Sequence, residues 1–224
     1  MVESARSMKQ SGLAKELQPG PNLILKAVAS VIVSLGIWWF LLKGISIWFL
    51  QRLAYVPLLL LIGASSGPPL ELNPQTGGWD FHVRMNYDTT NPQTGKPIHI
   101  DSIDFTADPK LADAFTGALF TYAGLALAVG VYSKTQWQRI LRGFGLQLAL
   151  SVLAIALFAY TKALAIVVNG HTGSTAVLSA VSLCEYLITL VVPYASPFAV
   201  VVMVLPQWKN YFAFHVARTN KLHR

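Results

Sequence analysis

Two ionisable side chains sit in surroundings that should exclude them. Glu185 lies about ten residues into the apolar stretch that contains "CEYLITLVVPYASPFAVVVMVLP", and Lys162 lies late in the preceding apolar stretch. An ionised carboxylate at the centre of a membrane helix costs at least about 2.5 to 3.5 kcal/mol on insertion scales, so Glu185 must face protein, hold a proton or have a partner. Lys162 is the candidate partner, because antiparallel neighbours bring the end of one apolar run close to the start of the next. Such a pair serves as a structural polar contact or as a contact with a partner protein. Pro193 and Pro197, downstream on the same run, should kink or break the helix and free backbone carbonyls, so the pair could also line a proton or substrate path.

Other constellations carry less chemistry. Cys184 and His171 are a nucleophile and a base in type, as in a membrane cysteine transpeptidase. They lie about 20 Å apart along a continuous helix, however, and apolar surroundings leave a thiol inert. A small buried side chain is the ordinary reading of Cys184. Asp80, His82, Arg84, His99 and Asp101 fall on the polar faces of two alternating segments. Two imidazoles and two carboxylates are a donor set that zinc accepts, but without recognisable ligand spacing they read as a solvated outer recognition surface. No glycine-rich phosphate cradle, HExxH or GxSxG motif occurs. The expectation is a protein that is not an enzyme and needs no metal or cofactor.

The elements that must hold these residues are set by apolarity. Of 224 residues, 54% are hydrophobic and 12% charged, with a mean hydropathy of +0.49, where a soluble domain carries roughly 25% charged residues. Apolar runs extend from Leu23 to about Ile62, Leu111 to Tyr132, Gly143 to Val168 and Ala176 to Leu205. A span needs about 20 apolar residues. No short apolar core with a small-residue cleavage site follows the polar N-terminal stretch, so no cleaved signal peptide is expected.

The 17 basic residues are unevenly placed. Arg6, Lys9, Lys15 and Lys26 precede or open the first run; Lys134, Arg139 and Arg142 stand between the second and third; Lys209, Arg218, Lys221 and Arg224 follow the fourth. Glu71, Asp80, Asp88, Asp101, Asp104, Asp108 and Asp113 concentrate between the first and second runs. The positive-inside rule puts the basic segments in the cytoplasm and explains them without nucleic acid.

The expected fold is a polytopic helical membrane protein. Residues 1–22 form a cytoplasmic segment, 23–42 the first span, 43–62 an interfacial helix and 63–109 an outer antiparallel β-unit. Residues 110–132 form the second span, 133–142 a basic loop, 143–168 the third span and 169–175 an outer loop. A proline-broken fourth span covers 176–206, and 207–224 form a cytoplasmic tail. The first run is split because some forty helical residues would rise about 60 Å, twice the hydrocarbon thickness. Trp38, Trp39 and Lys43 suit the outer boundary, and Ile45, Trp48, Phe49 and Leu53 share one helical face for lying along it. A second crossing by 43–62 would place the acidic region inside.

In the outer region, "WDFHVRMNY" alternates strictly from Trp79 to Tyr87, a strand signal. "PIHIDSIDF" alternates through Ile98 and Ile100 and then changes phase to Ile103 and Phe105, so a bulge near Asp101 and Ser102 is expected. Such a hairpin needs a third strand, with Pro69 to Asn73 the candidate, or a surface to lie on.

The pentapeptide Asn-Pro-Gln-Thr-Gly occurs twice, as Asn73, Pro74 to Gly77 and as Asn91, Pro92 to Gly95. It has the form of a peptide cleaved by a sortase. A sorting signal would stand beside a C-terminal span and basic tail, whereas both copies precede alternating segments, so they read as turns.

Asp108 and Pro109 form a helix start. Gly117, Ala118, Gly124, Ala126 and Ala128, with Gly143 and Gly145, are small residues suited to close helix packing.

The order of these features resembles the exosortase H-associated membrane proteins, small partners encoded with exosortase-type sorting enzymes in Gram-negative bacteria. The resemblance runs from Leu25 onward through "WWFLLKGISIWFLQRLA", "IDSIDFTADPKLADAFTGALFTYAGLALA", "SKTQWQRILR" and "YLITLVVPYASPF". Asp108-Pro109-Lys110-Leu111 departs from that family's Asn-Pro-Leu-like start to the second span. The resemblance implies a non-enzymatic accessory subunit acting at the outer face of the bacterial inner membrane, and the charge pattern expects both termini in the cytoplasm. Its partners would be the bilayer and another integral membrane protein or a second copy of the chain. A transport or sensing module using Glu185 is the alternative.

Overall fold

The computed structural model describes residues 22–62, 68–90, 94–130, 133–171 and 175–213. The elements are helix α1 (Leu23–Ile37), a π-helical turn (Trp38–Leu42), α2 (Lys43–Ile62), strands β1 (Leu70–Leu72), β2 (Trp79–Thr90) and β3 (Pro97–Ala107), then α3 (Pro109–Leu127), α4 (Lys134–His171), α5 (Thr175–Tyr186), a second π-helical turn (Leu187–Val191) and α6 (Val192–Val204). Residues 206–213 are again helical. By length and apolarity three stretches can cross a membrane: Leu23–Leu61, Lys134–Val168 and Ala176–Val204.

This differs from the expected four spans at α3, whose 19 residues include Lys110, Asp113, Thr116 and Thr121. Ala112, Phe115, Thr116, Tyr122 and Ala126 on this helix are buried, and a helix covered by protein does not need a lipid-compatible surface all round. Its start is as expected. Asp108 Oδ1 accepts from the Lys110 backbone N–H at 2.8 Å, and Pro109 fills the first position, where no donor is needed. The basic stretch 133–142 is not a loop but the first turns of α4 from Lys134 onward.

A second difference concerns residues 43–62. They do not turn away as a separate interfacial helix, because backbone hydrogen bonding continues from α1 through the π-turn into α2. Ile45, Trp48, Phe49 and Leu53, the face expected to lie along the membrane surface, are exposed at 65%, 55%, 45% and 36%, while Ile47, Leu50, Ala54 and Leu58 are buried against protein. The fourth apolar run is likewise unbroken. The expected break at Pro193 and Pro197 is replaced by the π-turn at Leu187–Val191, in which the Val192 N–H bonds Leu187 O, and Pro197 sits inside α6.

The chain forms two compact units. One comprises the stretches up to Ile37, Leu119–Gln147 and from Pro197 onward. Here small residues allow close approach: a Cβ added at Gly124 would fall 2.6 Å from Val31 Cα and 2.9 Å from Ser30 O. Ser34 Oγ donates to Phe120 O at 2.8 Å beside this contact. Tyr122 OH donates to Ile140 O at 2.9 Å with Gly143 against its ring, and Trp208 Nε1 donates to Leu125 O at 3.1 Å. Gly145 meets nothing within 4 Å, so it is not one of these packing positions.

The other unit, Trp38–Ala118 with Leu148–Ser196, holds the sheet. The strands lie in the order β1-β2-β3, all antiparallel. Trp79, Phe81 and Val83 are fully buried and share one core with Leu50, Ala54 and Leu58 of α2, Phe115 of α3 and Ile155, Phe158 and Ala159 of α4. Phe81 stacks on Phe105 at 5.1 Å and meets Phe158 edge-on at 5.8 Å. Each large side chain so removed from water contributes about 1.5–3 kcal/mol, which a lone hairpin could not gather.

Replacing Gly124 by Ala should force α1 and α3 apart locally and cost about 1–3 kcal/mol. Thermal unfolding of the detergent-solubilised protein would register this as a lowered midpoint, whereas Gly145→Ala, into open space inside α4, should raise it slightly, Ala being the better helix former by about 0.5–1 kcal/mol.

Candidate functional site

Two sets of polar side chains stand out in the sheet-bearing unit, one on the outer face of the sheet and one on the helices. The first copy of the repeat closes the β1–β2 connection. Asn73 Oδ1 accepts from the backbone N–H groups of Gln75 (2.9 Å) and Thr76 (3.1 Å), and the Gly77 N–H bonds Asn73 O at 2.8 Å with Gly77 at φ +71°. Pro74 starts the turn after Asn73, as the tight-turn reading requires. Gly78 follows with its Cα against the Ala107 carbonyl, where a Cβ would clash with the oxygen. Asn91 and Pro92 of the second copy lie outside the described residues; Gly95 has φ +68°, the conformation its glycine permits.

Because β2 buries its odd-numbered side chains, Asp80, His82 and Arg84 share the opposite face. Asp80 accepts from Asn73 Nδ2 at 2.9 Å and Thr106 Oγ1 at 2.6 Å. His82 Nδ1 lies 2.9 Å from Asp104 Oδ1, its ladder partner. Arg84 is exposed opposite Ser102. The ladder changes register between Arg84 and Tyr87, where Met85 and Asn86 face Asp101 alone and Asn86 takes φ +46°. The phase change predicted at Asp101 and Ser102 is therefore real, with the extra residue carried by the facing strand. Across it His99 pairs with Asp88, its ladder partner, and its Nε2 lies 3.1 Å from Asp101 Oδ1.

The histidines thus do not face each other; each is held by carboxylates. Among the described residues no three His, Cys, Asp or Glu side chains converge as a metal site would require. Asp88, Asp104 and Thr106 were not recognised from sequence, since their roles depend on cross-strand register. The hydrogen bond to Asp88 raises the His99 pKa above its ordinary 6.5, and Asp101 adds to the effect.

On the helices the structure brings together the predicted pair. Lys162 Nζ donates to Glu185 Oε1 at 2.8 Å, both side chains being partly buried. Thr189 Oγ1 returns a hydrogen bond to Glu185 O at 2.8 Å, one turn before Pro193. A second pair was missed: Lys43 Nζ donates to Asp113 Oδ2 at 2.7 Å and stands 4.2 Å from the Trp39 ring centroid. Read separately, Lys43 suits a boundary and Asp113 a helix start, and nothing local links positions 70 apart. Cys184 is exposed, not buried as expected. The His171 side chain lies outside the described residues.

Two predictions follow from these contacts. A double-mutant cycle of Lys162→Met and Glu185→Gln, read by unfolding in detergent, should give a coupling of about 0.6–1.7 kcal/mol. Because the His99 pKa is raised in the folded chain, its ion pairs stabilise the hairpin fully below about pH 6.5 and lose that effect as pH rises through the folded pKa. Hydrogen exchange of the β2 and β3 amides, corrected for intrinsic rates, should show protection falling as pH climbs above 6.5, and His99→Gln should remove that component. The chain matches no protein-family model, no curated protein and no solved structure.

Proposed function

We propose that this chain is a non-enzymatic accessory subunit of a membrane complex, built to bind another integral membrane protein. The observation that carries the reading is a mismatch of lengths. The helix Leu23–Leu61 has 39 residues and rises roughly 58 Å at about 1.5 Å per residue, against a hydrocarbon core of about 30 Å. Large apolar side chains are exposed throughout it, from Leu25 and Ile32 to Trp48, Val56 and Leu60. Lipid tails cover about half of that length, and an apolar protein surface suits the remainder.

The topology that fits this role has four crossings with both termini in the cytoplasm. α3 is the protein-sheltered crossing, and the basic first turn of α4 lies inside by the positive-inside rule. The sheet then faces outward, on the side where an exosortase-type sorting peptidase would receive its substrates. Such an enzyme is the partner we favour, on the strength of the sequence resemblance and of the outward recognition face. The Lys162–Glu185 contact satisfies both charges in place, which supports a structural pair over a proton path.

The test is photo-crosslinking in native membranes from residues substituted at Trp48 and Leu60, with mass spectrometry of the adducts. A single polytopic membrane protein captured at both sites, and lost from mild-detergent copurification on Trp48→Asp, is the expected result. Adducts with lipid alone, from a chain that migrates as a monomer in several gentle detergents, would overturn the reading.

A further inference from the structure

The sheet has two edges, and they are treated differently. β1 is three residues long and follows Pro68 and Pro69, and its Leu70 carbonyl accepts from Gln51 Nε2 of α2 at 3.2 Å. β3 runs eleven residues, Pro97–Ala107, with β2 on one side and no described strand on the other.

The direction of the β3 backbone groups follows from the pairing. The His82 N–H donates to Pro69 O and the Asn73 N–H to Gly78 O, so Gly78, Asp80 and His82 turn their backbone groups toward β1. Antiparallel ladders alternate, so Trp79, Phe81 and Val83 exchange hydrogen bonds with Ala107, Phe105 and Ile103. Ser102, Asp104 and Thr106 therefore turn their backbone N–H and C=O groups away from β2. All three residues are exposed, and no described residue bonds to those outward backbone groups. Proteins blunt such an edge with lysine, proline or a bulge in the edge strand itself. From Ile98 to Ala107, β3 has no Lys or Pro, and the bulge lies in β2.

The side chains along the edge select what would cover it. Ile103 and Phe105 pack on the core yet stay half-buried, whereas Val83 and Phe81 across the ladder are fully buried. Because β2 covers one side of each, the side left open is the one at the free edge. Asp104 stands between them on the opposite face, exposed, and Asp101 is exposed beyond them. A second copy of β3 would gather the aspartates of both chains along one seam, and like charges oppose that pairing. A strand with apolar residues beside Ile103 and Phe105 and a lysine or arginine beside Asp104 suits both faces.

We infer that the free edge of β3 receives an extended polypeptide segment of alternating apolar and basic side chains, which joins the sheet as a fourth strand. The backbone of Ser102, Asp104 and Thr106 supplies the hydrogen bonds, Ile103 and Phe105 the apolar contact, and Asp104 the preference for a basic residue. None of this uses the helix surface assigned to the membrane partner, so the two readings fail separately.

The experiment follows single backbone amides by hydrogen exchange, read by NMR, in the full chain held in nonionic detergent. In the free chain the amides of Ile103 and Phe105 should be protected, and those of Ser102, Asp104 and Thr106 should exchange fast. A capped peptide of about six residues, a common strand length, alternating valine and lysine, should slow the three outward amides at least tenfold, roughly the scale of one hydrogen bond. The same peptide N-methylated on its edge-facing amides keeps its charge and should bind about tenfold more weakly, as should a valine and glutamate peptide. Asp104→Lys should invert the preference between the lysine and glutamate peptides, with the alternating exchange pattern showing that the hairpin is still folded. Protection of the outward amides in the free chain would mean that the edge is already closed and would overturn the inference. Equal binding of the parent and N-methylated peptides would reduce the contact to charge alone and overturn it too. So would a valine and lysine peptide that leaves every β3 amide unchanged.

Discussion

Trp79, Phe81 and Val83 have no contact with solvent, and what covers them includes Leu50, Ala54 and Leu58 of α2. Much of the sheet-bearing unit depends on that seat. A three-stranded sheet whose first strand is only three residues long cannot enclose a core of its own. It needs an apolar floor, and α2 supplies one by continuing the helix of α1 beyond the length that a single crossing requires. The length of the first helix and the existence of the sheet are therefore one fact. Lys43, at the start of α2, is held by Asp113, near the start of α3, so the near end of the floor is tied to the helix into which the chain returns from the sheet.

How much of this could be read from the sequence depended on whether the signal was local. Period-two alternation from Trp79 located β2 and its buried face, and the change of phase after Ile100 located the bulge, because both follow from backbone pleat alone. Asn73, Pro74 and Gly77 announced a turn whose hydrogen bonds are nearly all internal to it. Lys162 and Glu185 could be paired because apolar surroundings leave a charged group few options. The continuation of α1 into α2 was not legible for the complementary reason: Lys43, Gly44, Gln51 and Arg52 interrupt the apolar run locally, whereas the packing of Ile47, Leu50, Ala54 and Leu58 against the core is tertiary. Lys43 with Asp113, and the carboxylates that hold His82 and His99, depended on tertiary register and had no local signature.

The polar groups of the sheet-bearing unit fall into two kinds. Lys43–Asp113 and Lys162–Glu185 are closed pairs on helices, each removing a charge penalty that its apolar surroundings would impose. The outer sheet face is different: its carboxylates and imidazoles are exposed and partnered side by side, which leaves a hydrogen-bonding surface available to a second molecule. The unit thus neutralises charge on its helices and displays it on its sheet.

The π-turn at Leu187–Val191 lies between Glu185 and Pro193 on one continuous helix. One extra residue in a turn advances the helical wheel by about 100°. The side chains of α5 and α6 consequently belong to two wheels in different phase, joined by a coupling that sets the angle between them. The ion pair with Lys162 fixes the phase of the first wheel, and the second can be clocked independently by adding or removing a single residue in the coupling. A proline-rich stretch that looks like a fracture is, in this chain, an adjustable joint.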